Sequence, residues 1–212
     1  MCKTTAERLE AAFSLFDAGE WDVSSAMYEA LLSEDSMSPT ETAQCLLGYE
    51  YVLCALGRYE EALNAGERLL ELAVSEEERH IALHQLAMAK REAESYDDAL
   101  SLIEKERKIL DTSFPQDALK YAVNEYEQGY LRLKLGRLPQ AKDRMETSLS
   151  YAEQADDPVA RACAHRGLGE IALALGQNQA AQHAFQTAVL LFEQAGDAVG
   201  AAEIKERWKA LL

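Results

Sequence analysis

Five stretches of this 212-residue chain, "AGEWDVSSA", "LGRYEEALNA", "AESYDDALSL", "LGRLPQAKDR" and "LGQNQAAQHA", each carry a turn residue followed five positions later by a small one. The turn residues are Gly19, Gly57, Glu94, Gly136 and Gly176; the small ones are Ser24, Ala62, Ala99, Ala141 and Ala181. Successive turn positions differ by 38, 37, 42 and 40. A nearly constant period of that size means supersecondary units stacked in a row, each burying its apolar face against its neighbours.

Each period reads as a pair of helices. Before the turn, apolar residues recur at helical spacing, as in Leu46, Tyr49, Leu53 and Leu56, and after it they do so again in Tyr59, Leu63 and Leu70. The small residues after the turn let the second helix approach the first closely. Helix starts are written in as well. Ser38 with Pro39 and Glu41, and Ser75 with Glu78, form capping-box patterns, and Asp157 with Pro158 repeats the idea. All four prolines, Pro39, Pro115, Pro139 and Pro158, fall where first turns or loops are expected. The fold class is therefore all-α: a right-handed superhelical solenoid of about five helix pairs, in units 4–37, 38–74, 75–112, 113–155 and 156–196, forming a single array over 1–212. Residues 197–212 read as a capping helix, with Ile204, Trp208 and Leu211 on one stripe and Lys205, Glu206 and Lys209 opposite. The longest period crosses Leu110 to Ala118, so a break in regular stacking is expected there.

The chemistry is sparse. There are 21 Lys+Arg against 37 Asp+Glu, a net charge of −16, and such a surface repels phosphate backbones and anionic membranes. Neither nucleic acid nor a membrane is expected as a partner. No apolar run is long enough to span a bilayer and the N-terminal "MCKTTAERLE" has no signal-peptide core, so the expected location is the cytoplasm. Cys2, Cys45, Cys54 and Cys163 lack any C-x-x-C spacing and read as small buried hydrophobes. His80 and His84 have the i, i+4 spacing that can hold a metal, but no second pair or carboxylate cluster completes a site. With no glycine-rich phosphate loop and no G-x-S-x-G, we expect no enzyme, no cofactor, no catalytic residue and no metal.

The repeat units resemble tetratricopeptide repeats (TPRs). Leu168, Gly169 and Gly176 match the first helix of the family pattern, and Ala181, Phe185 and Ala188 match the second; "GRYEEAL", "SYDDAL" and "GEWDVSSAMYEAL" are similar. Departures occur at Arg8, Glu125 and His165, where the family usually has Trp or Leu, at Glu50, where it has Gly or Ala, and in the missing terminal proline. The period of about 40 resembles the longer variety in bacterial signalling regulators of the Rap and MalT types. The resemblance implies that first helices line a concave groove. Counting back from the turns places Phe13, Tyr51, Met88, Tyr130 and Glu170 on it, with His84, Arg91, Tyr126, Lys134 and Arg166 beside them.

Aromatics interleaved with a few charges suit a recognition surface. The alternative is that Phe13 and Phe16 bury against the second unit and the tyrosines lie flat across adjacent helices. The expected partner is a protein or peptide ligand, bound by an adaptor or scaffold. The positions used by the chaperone-docking TPR subclass to grip a C-terminal carboxylate hold Leu9, Phe13, Gly48, Ile81 and Gln85 here, so that clamp is absent. Two other readings remain open. One is a Rap-type regulator controlled by a signalling peptide, although a pattern beginning near Thr4 leaves no room for an N-terminal effector domain. The other is a self-associating element, a homodimer through Phe13 and Phe16 or the Trp208 end.

Overall fold

A computed structural model describes residues 4–34 and 36–211, and among these residues it holds eleven helices and no strand. They are α1 (Thr5–Asp17), α2 (Trp21–Leu32), α3 (Pro39–Ala55), α4 (Tyr59–Leu72), α5 (Glu76–Glu92), α6 (Tyr96–Ser113), α7 (Ala118–Lys134), α8 (Leu138–Gln154), α9 (Pro158–Ala174), α10 (Asn178–Gln194) and α11 (Ala198–Arg207). The chain packs as two compact units, Met1–Leu102 and Ile103–Leu212. Cys2 and Leu212 lie outside the described residues.

The turn inside each pair falls at the residue marked by the period. Backbone φ is +80° at Gly19, +70° at Gly57 and Gly136, and +73° at Gly176, the left-handed region that a glycine enters without steric cost. Glu94 adopts the same conformation with a side chain, at φ +58°. A single hydrogen bond recurs across all five turns: the N–H of Glu20, Arg58, Ser95, Arg137 and Gln177 donates to the carbonyl of Leu15, Leu53, Lys90, Arg132 and Ala172, at 2.8–2.9 Å. This is the Schellman closure of a helix end. The first helices also start in a regular way. In the first unit Thr4, Ser38 and Ser75 form reciprocal capping boxes with Glu7, Glu41 and Glu78. In the second, Asp117, Asp157 and Asp197 accept from the backbone N–H three residues on.

The small column closes each pair. Ser24, Ala62, Ala99, Ala141 and Ala181 are all fully buried, and Ser24 Oγ satisfies itself by donating 2.7 Å to the carbonyl of Ala12. Close approach is also required at Gly169, where a Cβ would lie 2.5 Å from Cε1 of the Phe185 ring. The core of the first unit gathers Tyr28, Leu31, Val52, Leu53 and Leu69; in the second, Phe185, Phe192 and Ile204 form one cluster and Met145 and Ile171 another.

One pair of positions is inverted. Seven residues before the turn the chain has Ala12, Glu50, Ala87, Gly129 and Gly169, and nine residues after it Tyr28, Gly66, Ile103, Met145 and Phe185. Only the second pair combines a large first residue with a small second one. Glu50 lies against Gly66, where an added Cβ would sit 3.2 Å from Glu50 Oε2, and the carboxylate is only 2 % exposed.

The longest period, over Leu110 to Ala118, is where α6 ends and α7 begins, while the boundary between the two compact units falls earlier, at Leu102/Ile103 within α6. The extra residues lengthen α6 to 18 residues and leave a short link, 114–117, before α7. The capping helix is shorter than 197–212. It stops at Arg207, because Trp208 takes φ −118° and stacks its ring on Phe185, with centroids 4.2 Å apart and planes at 14°.

Candidate functional site

In the first unit α1, α3 and α5 present one lined face. Phe13 and Tyr51 are 46 % and 44 % exposed, large values for aromatic rings in a folded chain. They are ordered through Phe16, whose ring centroid lies 5.9 Å from that of Phe13 and 6.4 Å from that of Tyr51. Gln85 Nε2, on α5, donates to Tyr51 Oη at 3.0 Å and fixes the far end of the ladder. The α5 residues expected beside it behave differently. Met88 and His84 are half-buried, and Arg91 turns along its own helix to Glu92, at 3.0 Å. His84 is close enough to Glu50 to act on its charge. Burial is the dominant influence on that carboxyl and pushes its pKa up to about 8, against which His84 pulls it down.

In the second unit α7, α9 and α11 carry the corresponding residues. Tyr126 and Tyr130 stack with centroids 6.2 Å apart, and Lys134 Nζ lies 5.1 Å above the Tyr130 ring. Tyr126 departs from its expected role as a contact residue: it is 9 % exposed, and burial pushes its phenol pKa far up. Its hydroxyl instead accepts a 2.6 Å hydrogen bond from Arg166 Nη2, so it positions the guanidinium. Arg166 also meets Glu203 of α11 at 3.4 Å, and Arg207 reaches the same carboxylate at 3.9 Å. Glu170 is half-buried among these groups. Burial raises its pKa, partly offset by Arg207, Arg166 and Lys134. Glu203 and Arg207 are not among the residues expected on this face, since the sequence marks Lys205, Glu206 and Lys209 as the polar side of α11; their i, i+4 spacing is the available signal.

A second polar group lies behind this face, between α6, α7 and α8. Glu125, in the column where Trp or Leu is usual, is almost fully buried and is gripped by Arg107 and by Arg144, the latter at 3.2 Å. Asn124 Nδ2 donates to the Ile103 carbonyl at 3.0 Å and to Glu106 at 2.9 Å, and Gln128 Nε2 donates to Asn124 at 2.9 Å. Every one of these contacts is intramolecular, so the row is a substitute for apolar packing. Cys45 is buried and Cys54 half-buried, and burial pushes both thiols up to about 12, which keeps them protonated and unreactive at neutral pH. No group of three or more His, Cys, Asp or Glu among the described residues could hold a metal ion, and no described helix is long and apolar enough to cross a membrane.

No family model matches the sequence, and no curated protein matches it. Solved structures do match. A thermophilic TPR protein of Thermus thermophilus is 19% identical, with a TM-score of 0.69 over 98% of this chain and 98% of that one. PlcR of Bacillus thuringiensis in its apo form is 11% identical, with a TM-score of 0.72 over 96% of this chain and 78% of that one. The apo form of RapI is 16% identical, with a TM-score of 0.71; the match covers 96% of this chain and 58% of RapI. The fold is that of the tetratricopeptide-type helical repeat.

Proposed function

We propose that this chain is a protein-interaction module that holds a peptide segment of a partner against its first helices, as an adaptor or scaffold and without catalysis. The supporting observation is the ladder Phe13, Phe16 and Tyr51. Phe16 is half-buried against the core and touches both neighbours, while the rings of Phe13 and Tyr51 remain open to solvent, and burying such a side chain is worth about 1.5–3 kcal/mol. Rings already fixed by one another and by Gln85 lose little further freedom on binding, which favours them as anchors. In the second unit Tyr130, Lys134 and Arg166 offer an aromatic face beside cations.

Peptides selected from a random library on the full chain, followed by titration calorimetry, test the proposal. Tyr51→Ala and Tyr130→Ala should each weaken binding by about 2 kcal/mol, while Lys105→Ala, exposed on α6, leaves it unchanged. Equal affinities for all three variants would remove these faces as binding surfaces. The narrower Rap-type reading, a regulator answering to a short signalling peptide, draws support from the likeness of fold to RapI. If the ladder instead joins two copies of the chain, the double variant Phe13→Ser, Phe16→Ser sediments as a smaller species than the wild type.

A further inference from the structure

A pocket of about 270 Å³ opens at another place in the first unit, where the start of α3, the end of α4 and the start of α5 meet. Its wall is apolar: Ala43 and Leu47 from α3, Leu69 and Leu72 from α4, and Ile81 from α5. A dry cavity of about 150 Å³ is enough to hold benzene, so this one accommodates a complete aromatic or branched aliphatic side chain. The lining glutamate is already committed to the capping box. Glu78 accepts from the N–H groups of Val74 and Ser75, both at 2.9 Å, so the polar side chains left to a ligand are those of Thr40 and Gln44 on α3, beside a wall that is otherwise apolar.

Two features define the occupant. Val74, in the loop at the mouth, is 87 % exposed, so apolar surface continues past the pocket onto the outside of the molecule. Glu78 lines the pocket, and the three helix ends that meet there also carry Glu41, Glu71, Glu76 and Glu77, of which Glu41 is held in its capping box, Glu76 is paired to Arg79 at 2.8 Å and Glu77 lies 3.4 Å from His80. Glu71 lies in the last turn of α4, which holds no basic residue, so the negative end of the helix dipole adds to its charge. We propose that this pocket receives one bulky apolar side chain of a partner protein, carried on a segment with Lys or Arg on both sides of it. A second copy of the chain would bring the same acids face to face, and a small free molecule would leave Val74 in water. This site is separate from the ladder of α1 and α3, so either can fail without the other.

The test uses the full chain and the peptide acetyl-Lys-Lys-Phe-Lys-Lys-amide, followed by amide shifts in two-dimensional NMR. We expect saturable shifts centred on Leu47, Leu72, Val74 and Ile81. Replacing the peptide's Phe by Ala should weaken binding at least tenfold, and replacing its lysines by Glu should abolish it. Ala43→Leu, which fills the pocket, should weaken binding at least tenfold. Should that variant fail to fold, Val74→Ser at the exposed mouth provides the same comparison. Equal binding of the Phe and Ala peptides would reduce the contact to charge alone and overturn the proposal. So would toluene competing for the pocket as tightly as the peptide, which would make it a small-molecule cavity, or dimerisation in sedimentation that moves the same amides without peptide.

Discussion

Glu50 should make the first unit lose stability as pH rises through the neutral range. Its carboxyl is 2 % exposed, Oε2 has no hydrogen-bond partner, and burial holds its pKa near 8 against an ordinary 4.5. Between those two values the unfolded chain has released the proton and the folded chain has kept it. The folded state then binds more protons, and unfolding free energy falls with rising pH. Each unit of pH costs about 1.4 kcal/mol, so about 3 kcal/mol is lost between pH 5.5 and 7.5. Below pH 4.5 the group contributes no dependence, and above about 8 the loss levels off. Glu50→Gln preserves shape and removes the titration. The chain's two tryptophans allow the measurement, since Trp21 lies in the first unit and Trp208 in the second. Urea unfolding followed by Trp21 fluorescence in a Trp208→Phe background should show Glu50→Gln gaining on the parent by about 3 kcal/mol over that range. Parallel pH profiles for the two proteins would mean that Glu50 is solvated or paired when folded, and the reasoning would be wrong.

Other perturbations have simpler expected outcomes. Glu94→Gly removes a side chain from a left-handed position that costs an ordinary residue about 1–2 kcal/mol, so urea midpoints should rise rather than fall. Gly169→Ala places a methyl group against the Phe185 ring and should destabilise the second unit by about 1–3 kcal/mol, read from Trp208 fluorescence. Removing both cations from Glu125, in the double variant Arg107→Ala, Arg144→Ala, leaves a buried carboxylate without compensation and should cost about 3–5 kcal/mol by thermal unfolding. Restoring stability with Glu125→Leu in that background would identify the loss as electrostatic.

Much of the fold is legible because it rests on local rules. Left-handed turns favour glycine, the first helices start at Ser, Thr or Asp, and closely packed helices favour a small residue; Gly57, Ser38 and Ala62 can each be read without knowing what surrounds them. The faces are less legible, because periodicity gives the side of a helix and not the depth of the residue on it. Counting back from the turns places Tyr51 in the groove column and Tyr126 beside it, yet one ring is open to solvent and the other is buried under Arg166. Their neighbours on the adjacent helix differ as well, Gln85 in one case and a guanidinium in the other. Glu203 and Arg207 are illegible for a similar reason: the pattern shows that a terminal helix has charged residues off its apolar stripe, but not which of them reach the neighbouring helix.

The inversion at Glu50 and Gly66 also restricts how this repeat can change over generations. Restoring a large residue at Gly66 alone drives it into the carboxylate and into Leu86, whose Cδ1 lies 3.0 Å from the position of a new Cβ. Restoring a small residue at Glu50 alone opens a hole next to a glycine, which Leu86 could fill only by leaving its present packing. Each single step is penalised while the two together recover the arrangement of the other pairs, so the two sites behave as one inherited character. A lineage that acquired this pair would keep it long after the circumstances that favoured it had passed, and the two positions should vary together, or not at all, among its descendants.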